Sequence, residues 1–96
     1  MAEKYSRTDE HNLPDFKSHD EARRFLKEKH GRALQLVGKE EIDGEMIYFY
    51  DLILNREVYV KGMNELIMKG HSSGLEFLMS SQRIEIWEDG RIHMIH

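Results

Sequence analysis

Residues 46–54 read Met-Ile-Tyr-Phe-Tyr-Asp-Leu-Ile-Leu and are apolar at every position except Asp51. Side chains on a strand point alternately to opposite faces, so a strand of this composition presents apolar surface on both sides. Such strands are central and covered twice over. The residues before it supply one short helix, which can cover only one face. The other face needs either a sheet that curls into a partial barrel or a second copy of the chain, and a homodimer is therefore expected.

The remaining sequence bounds the molecule. The 96 residues suit a single domain. With no cysteine there is no disulfide framework, thiolate metal site or cysteine nucleophile, which fits a reducing compartment. The apolar run is far short of the roughly 20 residues that cross a bilayer. The polar start Met1-Ala2-Glu3-Lys4 has no secretory hydrophobic region. A soluble cytoplasmic protein without membrane contact is expected. The formal charge is -4 and the pI about 5.8, with no basic stripe. Capture of DNA through its phosphates needs clustered Lys and Arg, so no DNA partner is expected. The acidic stretch Glu40 to Glu45 reads as a solvated hairpin tip, with docking of a basic partner as the alternative.

Along the chain, residues 1–17 are polar and aperiodic and contain the only proline, Pro14; they read as a flexible arm or an extended lead-in before a domain spanning 18–96. Ser18-His19-Asp20-Glu21 has the spacing of a capping box. It predicts a helix from about His19 to His30, with Ala22, Phe25 and Leu26 as its apolar stripe and Gly31 as its stop. From Arg32 the period changes to two. Arg32–Ile42 and Glu45–Leu54 form one hairpin, and a three-residue loop with a bulge at Gly44 pairs Leu34 with Leu52 and Leu36 with Tyr50. Arg83–Trp87 and Arg91–His96 form a second hairpin, with Ile86 facing Ile92 and Ile84 facing Met94. Between them, Val58 and Val60 suggest a strand, and Leu75, Phe77 and Met79 another; residues 64–69 fit either a strand or one helical turn ending at Gly70. The expected fold is α+β, an N-terminal helix on a curved antiparallel sheet of five to six strands in the order α-β-β-β-β-β-β.

Several residues invite a chemical role. Gly70-His71-Ser72-Ser73-Gly74 matches the pattern of a hydrolase nucleophile elbow, but that motif needs a large parallel sheet and a downstream acid and histidine. A Gly/Ser turn is the expectation, and no catalytic residue is assigned. None of the six histidines has the spacing of a recurring zinc site, so neither a metal nor a cofactor is expected. Asp51, with Tyr50 beside it, is the one carboxylate on the apolar strand. It is either a satisfied strand residue opposite Gln35 or a group in a sheet concavity that binds a small molecule or does catalysis. Trp87 with Arg91, and Glu85 with His93, oppose each other on one hairpin face, and Trp is over-represented among interface anchors. That face is the candidate partner surface.

Asp51-Leu52-Ile53-Leu54-Asn55, with a glycine at 44 and a helix ahead of the bent strands, faintly resembles the first motif of Sm-like RNA-binding proteins. The Gly44 to Asp51 spacing is one residue longer than in that motif, and Glu88-Asp89-Gly90-Arg91 departs from the Arg-Gly signature of the second. The resemblance implies a ring oligomer that binds RNA; the pI of about 5.8 counts against an RNA partner, and this reading stands as the lesser alternative. The leading expectation is a small non-enzymatic module that regulates or inhibits another protein by direct contact.

Overall fold

The computed structural model describes residues 4–71 and 74–96. In chain order the elements are α1 (Arg7–His11), α2 (His19–His30), a 3-10 turn (Gly31–Ala33), β1 (Leu34–Ile42), β2 (Glu45–Ile53), α3 (Arg56–Lys69), α4 (Leu75–Leu78), β3 (Ser81–Trp87) and β4 (Ile92–Met94). The four strands form one antiparallel sheet in sequence order. The fold is α+β, with four strands among the described residues where five or six were expected.

α2 has the expected bounds. Ser18 Oγ accepts from the Glu21 N–H at 3.2 Å, and Gly31 ends the helix at φ +56°. Its Ala22 and Leu26 meet Leu34, Tyr50, Leu52, Ile84, Ile86 and Met94 in one buried cluster on one face of the sheet. Each fully buried aliphatic side chain there stabilises the fold by about 1.5–3 kcal/mol relative to exposure.

The first hairpin has the expected register at its base, Leu34 opposite Leu52 and Leu36 opposite Tyr50, but for a different reason. The turn is a two-residue one, with Asp43 at φ +52° and Gly44 at φ +82°, and Ile42 pairs directly with Glu45. Two successive positive φ values suit the twist of a hairpin. The extra residue lies lower down at Val37, between the Leu36/Tyr50 and Gly38/Phe49 pairs, as a bulge. The second hairpin pairs as read, Ile84 with Met94, Glu85 with His93 and Ile86 with Ile92.

Residues 4–17 lie along the outer edge of β4. Ser6 and Asp9 form a full capping box for α1. Tyr5 is buried in the core cluster, Glu10 Oε2 accepts the Met94 N–H at 3.2 Å, and the Phe16 carbonyl lies where a Cβ on Gly90 would come within 2.3 Å. The segment covers an edge that would otherwise offer unpaired backbone groups. Where Val58 and Val60, and Leu75, Phe77 and Met79, suggested strands, the described residues form the helices α3 and α4. Asn55 Oδ1 accepts from the Val58 N–H at 3.3 Å, and Gly70, at φ +77°, donates to the Leu66 carbonyl at 3.0 Å. Between these caps Tyr59, Gly62, Met63 and Leu66 recur at helical spacing. The β-branched Val58 and Val60 lower helix propensity only slightly, and packing overrides that.

α3 also supplies cover on the second face of β2. Tyr59 reaches Asp51 there, and Ile53 is buried beside it. Toward the other end of that face Ile47 is buried and Phe49 half-buried. No helix among the described residues is long and apolar enough to cross a membrane.

Candidate interaction surface

The helix that meets the second sheet face at Asp51 also exposes large apolar side chains among its charged ones. Tyr59 and Gly62 point inward and are buried. Val60, Ile67 and Met68, displaced by about a quarter to half a turn or more at 100° per residue, point outward. Ile67 is 78% and Met68 83% exposed. α4 continues the pattern: Leu75, Leu78 and Met79 are each about two-thirds exposed, while Phe77 turns inward.

Two contacts fix how α4 sits on α3. The Phe77 ring lies against the bare backbone of Gly62, where a Cβ would come within 1.9 Å of Cδ1. The same ring packs against Tyr59 at a centroid distance of 6.2 Å. With Phe77 inside, its neighbours Leu75 and Leu78 are left outside. A shallow groove of about 600 Å³ runs along the outer side of α3, its walls including Arg56, Glu57, Val60, Lys61, Met68 and Lys69.

Asp51 anchors α3 to the sheet from beneath. Its Oδ2 accepts from the Tyr59 hydroxyl at 2.9 Å and its Oδ1 from Arg83 Nε at 2.9 Å. Burial, and then the adjacent Asp51 carboxylate, push the Tyr59 hydroxyl up to about 12. Gln35 is the cross-strand neighbour of Asp51 as expected, but the hydrogen bonds run to Tyr59 and Arg83. Tyr50 faces the other side of the sheet. Its hydroxyl pairs with His19 Nε2 at 2.7 Å, and the His19 ring stacks on Tyr48 at 3.6 Å. Asp51 and Tyr50 therefore do not converge on one site, because neighbours on a strand point to opposite faces.

Trp87 and Arg91 come together as read, with the guanidinium carbon 5.3 Å from the indole centroid. Arg91 also pairs with Glu45 Oε2 at 2.6 Å and Asp89 Oδ2 at 2.8 Å. These exposed pairs contribute little to stability, about 0–1 kcal/mol each, but they supply the hairpin end with its own counter-charges. Glu85 is opposite His93 in register, while His93 Nδ1 lies 3.9 Å from Glu10 Oε2. His96 Nε2 meets Glu10 Oε1 at 2.7 Å. Strand β4 ends at Met94, so the alternation that would separate His93 from His96 does not persist, and both approach one carboxylate. No group of three or more His, Asp or Glu among the described residues is arranged to hold a metal.

Ser72 and Ser73 of the glycine-flanked motif lie outside the described residues. The flanking glycines join helix to helix, Gly70 ending α3 and Gly74 preceding α4, and not strand to helix as a nucleophile elbow requires. The α3–α4 surface was missed in the sequence because Val58 and Val60, and Leu75, Phe77 and Met79, suggested strands. The Asn55 and Gly70 caps, with Tyr59, Met63 and Leu66 between them, are the signal that finds it.

Comparisons with family models, with curated proteins and with solved structures find no match to this chain.

Proposed function

We propose that the chain is a small non-enzymatic protein-binding module, a regulator or inhibitor that works by direct contact through the outer surface of α3 and α4. The observation that carries the reading is the concentration of exposed large apolar side chains there: Ile67, Met68, Leu75, Leu78 and Met79 are each at least two-thirds exposed, and all fall within thirteen consecutive positions. Single exposed apolar residues are ordinary, whereas a cluster on one unit marks an interaction surface. Methionine suits such a surface because its unbranched thioether adapts to a partner's shape. The non-enzymatic part is supported by the state of Asp51, whose two oxygens are both engaged by Tyr59 and Arg83. The Trp87–Arg91 face, already supplied with counter-ions by Glu45 and Asp89, is the weaker contact candidate.

Site-specific photo-crosslinking in the native host tests the reading. A benzophenone side chain at Met68 is expected to give discrete protein adducts, and the same group at Glu28 on exposed α2 is not. Equal, diffuse labelling at both positions would overturn it.

A further inference from the structure

α3 carries a second pattern beside its apolar stripe. Glu57, Lys61, Glu65 and Lys69 follow one another at four-residue intervals along one flank of the helix, acid and base alternating. Within the helix such a row makes favourable i,i+4 pairs. Read as a surface, it is also its own complement in reverse. Reversed end to end, acid-base-acid-base becomes base-acid-base-acid.

We infer that the outer face of α3 pairs with α3 of a second copy of this chain, the two helices antiparallel about a two-fold axis that crosses at the level of Met63. When helices pack antiparallel, each flank meets the same flank of its partner. Glu57 then comes opposite Lys69 of the partner subunit, and Lys61 opposite Glu65 of the partner subunit. On the other flank, the same axis brings Val60 to within one residue of the level of Ile67 of the partner subunit. Each contact occurs twice, as an isologous interface requires. One axis thus satisfies the charged flank and the apolar flank together, with Asn64 beside it at the centre. A parallel pairing would set Glu57 against Glu57 and Lys61 against Lys61, so the charge order selects the antiparallel arrangement. The groove along α3, where Val60 and Met68 lie beside the charged row, runs across this surface.

The inference rests on the proposed reading of this surface and names its occupant. The test is light scattering coupled to size exclusion on the full chain, over about a hundredfold range of concentration, because a self-association moves with mass action. Wild type is expected to approach twice its 11.4 kDa mass at the upper end. Glu57→Lys/Glu65→Lys, with four lysines in the row, is expected to stay at the single-chain mass, as is Lys61→Glu/Lys69→Glu. An equimolar mixture of the two is expected to recover the doubled mass. A third variant, Glu57→Lys/Lys61→Glu/Glu65→Lys/Lys69→Glu, keeps every i,i+4 pair and the self-complementarity. It should dimerise with itself and not exchange into wild type, which separates the interface from any effect on helix folding; circular dichroism of each variant accompanies the masses.

A wild type that holds the single-chain mass at every concentration overturns the pairing, as does a doubled mass that all the variants keep. If wild type is monomeric while Met68 still crosslinks to a different protein, the self-pairing fails and the protein-binding reading stands. If Met68 labels no better than Glu28, that reading fails as well.

Discussion

The side-chain amide of Gln82 clasps the backbone of Tyr5 in both directions: Oε1 accepts the Tyr5 N–H at 2.7 Å and Nε2 donates to the Tyr5 carbonyl at 3.0 Å. The side chain does what a neighbouring strand would do, joining residues 77 apart in sequence. Tyr5 in turn reaches His30 Nε2 through its hydroxyl at 2.6 Å. Replacing Gln82 with Leu keeps the volume and removes both bonds, leaving buried backbone groups unpaired at a cost of about 2–3 kcal/mol. Urea unfolding should show that loss, and amides of residues 5–13 should lose hydrogen-exchange protection ahead of the sheet. Unchanged protection in that segment would mean the clasp does not hold it.

Gly62→Ala tests the seat of Phe77. Alanine favours a helix interior over glycine by about 1 kcal/mol, so α3 alone would gain. The added Cβ, however, would overlap the Phe77 ring, and overpacking of that kind costs about 1–3 kcal/mol. The net expectation is a destabilised protein whose loss shrinks when Phe77→Leu is added, seen as non-additivity in thermal melts of the two single variants and the double. A stabilised Gly62→Ala would show that α4 does not depend on this contact.

Tyr59→Phe removes a single hydrogen bond to Asp51 while Arg83 remains, and is expected to cost about 1–2 kcal/mol. Asp51→Leu strips partners from both Tyr59 and Arg83 and should cost more. The titration of the phenols gives an independent readout, because Tyr59 is pushed up to about 12 by burial and then by Asp51. In an ultraviolet titration of the four tyrosines, the most alkaline part of the rise should vanish in Tyr59→Phe.

Stability should decline toward acid, and the sign follows from the histidines. Burial, first among the causes, holds both His19 and His30 below their ordinary 6.5. Nearby charges act as well: Asp20 opposes the shift at His19, Arg23 adds to it, and Lys29 adds to that at His30. The unfolded chain therefore takes up protons near 6.5 that the folded chain refuses until lower pH, so stability is full above 6.5 and falls as the pH drops below it. Glu10 continues the trend further down. Burial raises its pKa, but hydrogen bonds from His96 and the Met94 N–H prevail and hold it below 4.5, so its contribution is present above 4.5 and is lost as the pH falls through the folded value. The urea midpoint followed from neutral to acid pH checks this, and His19→Gln should flatten the upper part of the slope. A midpoint that does not move across the histidine range would contradict it.

Where a structural choice rested on neighbours in sequence, the amino-acid pattern alone was enough. Ser18 and Gly31 bound α2, and Glu88-Asp89-Gly90 sets the register of the last hairpin, because caps and tight turns are closed by groups a few residues apart. The need for a second layer over Met46–Leu54 was equally legible, since alternation puts apolar side chains on both faces whatever the fold. What provides cover there was not. Val58 and Val60 favour a strand locally, and only the reach of Tyr59 to Asp51 and of Phe77 onto Gly62 selects the helices α3 and α4 with their exposed apolar side chains. The bulge at Val37, and not the turn, corrects the first hairpin's register, and the path of residues 4–17 along β4 depends on Gln82 and Gly90. Those outcomes belong to contacts between groups tens of residues apart, whose free energy exists only once the chain has brought them together.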